Sequence, residues 1–133
     1  MCHSDDSRPP APPVRGEVEA HGALVLDASD GNHVLAYEAH PVAPSSRGIV
    51  VLPDIRGLHT YYRDLTVRLS ECGWNAVAID YFGRTADSDD RSDAFDWQTH
   101  IPQTTPEGVA AVVTGDTLVG GIAGLTALQV KIA

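Results

Sequence analysis

The chain has 133 residues, 18 acidic against 9 basic, and a formal net charge of −9. That length holds one modest domain with a single core, and the acid excess argues against a nucleic-acid backbone or an anionic membrane as the main partner. The two cysteines, Cys2 and Cys72, make no disulfide framework and read as reduced thiols of a cytoplasmic protein. No run of about 18 apolar residues offers a membrane span. The opening "MCHSDDSRPPAPP" carries acids where a signal peptide needs a basic region and an apolar core, so secretion is not expected.

Residues 1–16 are polar and contain Pro9, Pro10, Pro12 and Pro13. Proline restricts the backbone and removes donors, which predicts an extended arm or a cover strand rather than a helix. From Ala23 the character changes. "ALVLDASDGNHVLAYEAH" holds two short strand-like runs around Asp30-Gly31, a favourable turn pair, and predicts a hairpin. "GIVVLP" is a continuous run of mainly β-branched residues, the pattern of a strand covered on both faces.

In "YYRDLTVRLSECG", Leu65, Leu69 and Cys72 recur at helical spacing, with Tyr61 or Tyr62 one turn earlier and Gly73 in a helix-stopping position. "WNAVAIDY" then reads as a second strand. Strand, loop, helix, strand predicts a right-handed βαβ unit in a mostly parallel sheet with flanking helices. Both strands then end on one sheet edge, where open α/β sheets bind ligands. The acidic stretch "GRTADSDDRSDAFDWQTHIPQTTPEG" has little periodicity and predicts an irregular excursion with one short helix near "RSDAFDW". "TTPEGVAAVV" carries a helix start: Thr105 as cap, Pro106 in the first position and Glu107 in the first turn. Residues 17–114 therefore read as one folded unit. Residues 115–133 form a divergent tail in which Gly115, Gly120, Gly121 and Gly124 weaken any helix.

The loop Asp54-Ile55-Arg56-Gly57 leaves the most apolar strand and enters a helix. Backbone N–H groups at such a place can face a developing negative charge, and Gly57 allows a tight turn close to a ligand. Two readings of Asp54 are open. Its carboxylate belongs to a ligand site, or it caps the loop and pairs with Arg56. Arg84, beyond "AIDYFG", either meets a substrate carboxylate bidentately or pairs with Asp80 or the "DSDD" run. The ion pair is the favoured reading. Trp97 is either a lid aromatic or packing for the excursion, and Tyr61 and Tyr62 read as packing at the helix start. The histidines form no His-x-His or His-Glu-x-x-His pair, so no metal site is expected. His59 reads as a pocket-rim or helix-start residue. Ser45, Ser46 and Ser70 read as solvated or local hydrogen bonders.

"MCHSDDSRPP", "LPDIRGLHTYYRDLTVRLSECGWNAVAIDYFGR" and "HIPQTTPEGV" together resemble the dienelactone hydrolase family of α/β-hydrolases, over residues 1–112. The resemblance implies ester or lactone hydrolysis through an acyl-enzyme, using a cysteine, an aspartate and a histidine, with no cofactor. It implies that Asp54 is the acid that holds the resting nucleophile, where glutamate is the familiar residue. It also implies that the Ile55 N–H is an oxyanion-hole donor and that Gly57 is the turn glycine. Tyr81, Phe82, Gly83 and Arg84 match a segment where contacts to an anionic substrate are expected.

The family's later Gly-x-Cys-x-Gly elbow is absent from the 133 residues, as is any Gly-x-Ser-x-Gly. Nucleophile and catalytic histidine are thus missing. The expected protein is the N-terminal part of an α/β-hydrolase, preceded by a hairpin, truncated before its nucleophile and inactive alone. It would take a small-molecule ester or lactone when completed. The alternative is a non-catalytic fragment, pseudoenzyme or small-molecule binder. Self-association through an unfinished sheet is open to either.

Overall fold

The computed structural model describes residues 3–43 and 46–114. Cys2, Ser45 and the expected glycine-rich tail, 115–133, lie outside the described residues. The hairpin is present, as β1 (Val18–Asp27) and β2 (His33–Pro41), and β1 begins five residues before Ala23. Its turn is built on Gly31 at φ +83°, with Gly31 N–H donating to Ala28 O at 2.9 Å and Ala28 N–H to Asn32 O at 2.8 Å. A left-handed backbone at that point costs glycine nothing.

β3 (Gly48–Val51), α1 (Thr60–Glu71) and β4 (Asn75–Ile79) form the predicted βαβ unit, with β3 and β4 parallel and adjacent. The helix ends as its sequence foretells. Gly73 takes φ +89°, its N–H donates to Ser70 O and the Trp74 N–H reaches Leu69 O, the paired bonds of a Schellman motif. Beyond β4 come a short helix α2 (Trp97–His100), a 3₁₀ turn (Ile101–Gln103) and α3 (Pro106–Val113). Thr105 caps α3 as expected, its Oγ1 accepting from the Gly108 N–H at 3.0 Å.

Two expectations are corrected. The strand order is β1-β2-β4-β3, and only β3–β4 is parallel; β1–β2 and β2–β4 are antiparallel. The sheet is mixed, not mostly parallel, because the second hairpin strand pairs directly with β4 instead of ending the sheet's approach as a separate ribbon. The helix expected near "RSDAFDW" starts only at Trp97. The residues before it make turns around Arg91, whose side chain is drawn into the interior.

Alternation along the strands loads both faces. Val34, Ala36, Val77 and Ile79 face α3, meeting Val112 and Val113; Leu35, Tyr37, Val51 and Ala78 face α1, meeting Leu65 and Leu69. All five residues of β4 are buried. The helices therefore hold the sheet from opposite sides, and the C-terminal ends of β3 and β4 open between them.

Candidate active site

Asp54, Ile55, Arg56 and Gly57 leave the C-terminal end of β3, and Asp80 and Tyr81 leave that of β4, so the parallel pair delivers both segments to one edge. Between them lies a mostly apolar cleft of about 380 Å³, walled by Leu52, Asp54, Ile55, Tyr81, Thr104 and Val109 among others. Its size suits a small organic molecule.

Ile55 is 41% exposed, and its N–H has no acceptor among the described residues. An amide without an internal acceptor at the rim of a cleft is open to an acceptor from outside the chain. The carboxylate of Asp54 stands beside it. Asp54 Oδ1 accepts from the Arg56 N–H at 3.0 Å, and Oδ2 accepts from the His3 N–H at 3.4 Å. Asp54 therefore caps its own loop and also faces the cleft, so its two readings are compatible. The expected side-chain pairing of Asp54 with Arg56 is replaced by a main-chain bond.

The Arg56 guanidinium points elsewhere. It is 6% exposed, bonds to His3 O, meets Asp5 Oδ1 at 2.8 Å and Asp93 Oδ1 at 2.9 Å, and reaches Arg91 O at 3.3 Å. The loop is thus clasped to the N-terminal arm on one side and to the excursion on the other. Asp5 also accepts from the Asp93 N–H at 2.7 Å. That bond, and then the guanidinium, hold the Asp5 carboxyl below the usual carboxylate range. The His3 ring stacks on Tyr61 at 3.5 Å between centroids. The arm is a packed part of the site's frame.

Asp80 anchors the loop from below. Fully buried, it accepts from the Leu58 N–H at 3.1 Å and the Phe82 N–H at 2.9 Å, and it takes a bidentate pair from Arg91 at 3.0 and 2.9 Å. Arg91 in turn lies over the Phe95 ring at 4.4 Å. Four donors on one carboxylate are what a buried charge needs. Tyr81 lines the cleft and its hydroxyl donates to Pro53 O at 2.6 Å; burial pushes its acidity well beyond reach of ordinary pH. Tyr62 is pushed up to about 12 by burial, with the nearby Asp54 carboxylate adding to the rise. Both phenols stay protonated.

Of the expected site residues, Asp54, Ile55 and Tyr81 are brought together at the cleft. Gly57, Arg84 and Trp97 are not on its wall. Gly57 sits at φ +77° packed against Asp80 and Phe82, as a tight turn there requires. Arg84 forms the favoured ion pair, but with Asp30 at the hairpin turn, where its two nitrogens meet both carboxylate oxygens; it also donates to Gly108 O at 3.4 Å. Of the expected partners, Asp80 is already filled by Arg91. Trp97 opens α2, while Ile101 and Thr104 from the same excursion supply the cleft wall.

Sequence reasoning weighed Asp80 only as a partner for Arg84 and did not single out Val109. The first was signalled by an acid closing the apolar run Ala76–Ile79, the second by its place on the apolar face of α3. Cys72, exposed at the far end of α1, is removed from the cleft by the length of a 12-residue helix, roughly 18 Å. Among the described residues no cluster of three potential metal ligands occurs, and no helix is long and apolar enough to cross a membrane.

A carboxymethylenebutenolidase from Rhodococcus opacus is 33% identical over 92 residues, 68% of this chain and 33% of that protein. The chain therefore spans about a third of the length of this curated relative. A solved structure described as a dienelactone hydrolase from Klebsiella pneumoniae subsp. pneumoniae is 30% identical and covers 71% of this chain and 38% of its own, with a TM-score of 0.45. The model of the dienelactone hydrolase family matches residues 34–116, a span that runs from β2 through the Asp54 loop to the end of α3. With well over half of its length inside that match, the chain belongs to the dienelactone hydrolase family.

Proposed function

We propose that this chain forms the acid-and-oxyanion side of a pocket that hydrolyses a small-molecule ester or lactone. The observation that carries the reading is the unbonded Ile55 N–H, standing at the rim of the cleft next to the Asp54 carboxylate. During attack on an ester carbonyl, negative charge collects on the carbonyl oxygen. A backbone amide that donates to that oxygen stabilises the charge. The Asp54 carboxylate accepts hydrogen bonds only, so it can hold an attacking thiol by its proton until the substrate displaces it. The curated relative's name supports a lactone as the substrate class.

In this reading the attacking group, its histidine and its aspartate come from protein that the 133 residues do not include, since the sequence holds no nucleophile elbow. The fold is then the N-terminal part of an α/β-hydrolase. Among the described strands β3 pairs only with β4, which leaves its outer edge open for the remaining sheet or for a second copy of the chain. The missing elbow also favours one other reading, a protein that binds a small ester or lactone and does not turn it over. The cytoplasmic reading of the two thiols stands with both.

An amide-resolved titration of the full chain with a lactone or a small phosphonate tests the shared step. The Ile55 resonance is expected to move while that of Leu58, occupied by Asp80, stays still. A silent Ile55 overturns the oxyanion role. Mixing the chain with an activated ester is expected to give no acyl-enzyme burst. A burst that survives replacement of both Cys2 and Cys72 would show that an attacking group had been overlooked.

A further inference from the structure

The side chain of His59 is 1% exposed, and neither ring nitrogen has a hydrogen-bond partner. Such an imidazole loses its water on folding and must recover a partner or bear the cost. The acceptor in range is Asp54 Oδ1, 3.6 Å from Nε2. A movement of about half an ångström closes that gap to an ordinary hydrogen bond. His59 does not line the ester cleft; it lines a separate polar cavity of about 240 Å³ with Arg63 and Arg91. Its ring packs edge-on against Tyr62, at 5.1 Å between centroids, which fixes the plane in which it meets the carboxylate.

We infer that His59 is a positioning residue for Asp54, donating its Nε2–H to the back of the carboxylate and so holding Asp54 aimed into the cleft. This rests on the hydrolase reading for its use, though not for its geometry. The proton stays on nitrogen throughout and no group is consumed. The surroundings support a neutral donor. Burial, then the Arg56 guanidinium, push the imidazole below its usual value, while Asp54 and Asp5 push the other way and His3 adds slightly to the fall. From α1 the charged neighbour is Arg63. From the excursion Asp89, Asp90 and Arg91 share the cavity, and Arg91 is already engaged by Asp80. A histidine that merely filled space would have no reason to keep its neutral-ring proton on Nε2.

The test uses ring-nitrogen magnetic resonance of His59 in the full 133-residue chain, without any ester, so its outcome is independent of whether the chain belongs to a hydrolase. The neutral ring is expected to carry its proton on Nε2. In Asp54→Asn, loss of the carboxylate is expected to reduce the proton affinity of His59 by about tenfold. A ring protonated on Nδ1 when neutral, or a titration midpoint unmoved in Asp54→Asn, overturns the assignment. The first measurement needs no variant, so it decides the matter even if the substitution disturbs the loop.

Discussion

A methyl group on Gly57 would stand 2.6 Å from Asp80 Oδ1 and 2.9 Å from the Phe82 ring, at a backbone angle of +77°. Neither neighbour can retreat: Asp80 is held by four donors, and Phe82 is fully buried. Gly57→Ala is therefore expected to lose about 2–4 kcal/mol, combining a left-handed backbone with overpacking. Chemical denaturation should show a lower midpoint at an unchanged slope. The same residue shows what the sequence made legible. A glycine in a charged loop after an apolar strand located the turn, because local geometry alone demands it. Whether the turn served a ligand or a buried carboxylate depended on Asp80 and Phe82, more than twenty residues away, and no local pattern encodes that. The place of Ile55 at the cleft was legible through family resemblance, whereas the closeness of His59 to Asp54 was hidden, since both residues read plausibly as loop and helix-start polar groups.

At the level of elements, helices announced themselves by their ends. Thr105-Pro106 and Gly73 act through bonds to residues within four positions, so the sequence carries the whole interaction. Strand partners lie far apart, and the mixed sheet was misjudged for that reason: Ala36 against Ile79 is a pairing across α1 that periodicity cannot rank above a fully parallel arrangement. The arm was likewise read from its prolines as extended. Its real determinants are polar: Asp5 and the His3 carbonyl bind Arg56, and Arg8 meets Asp64 at 3.4 Å. Arg56→Met keeps the stem but removes the clasp between arm, loop and excursion. Amide exchange at Asp93, whose N–H is bonded to Asp5, is expected to speed up by about tenfold, the loss of roughly one charge-assisted bond. The amides of β4 should keep their protection. Unchanged exchange at Asp93 would mean that the arm is held by His3 stacking on Tyr61 and not by the guanidinium.

For the molecule as a whole, two histidines set opposing responses to pH. His59 is buried, and its folded-state value lies below 6.5, through burial and then Arg56. The unfolded chain thus binds its proton first, so stability is complete above pH 6.5 and declines as the pH falls toward the folded value. His40 is raised above 6.5, since bonds to Glu38 and Asn75 outweigh its partial burial. Its contribution is complete below pH 6.5 and is lost as the pH rises through the folded value. The denaturation midpoint is therefore expected to peak near pH 6.5 and to fall on both sides, well before the carboxyls of Asp5, Asp30 and Asp90, all lowered, begin to titrate. The two limbs separate by substitution. His59→Phe should flatten the acid limb and leave the alkaline one, and His40→Gln should do the reverse. Retention of the acid limb in His59→Phe would place the proton uptake on another group and remove the buried imidazole from the account of how this domain responds to acid.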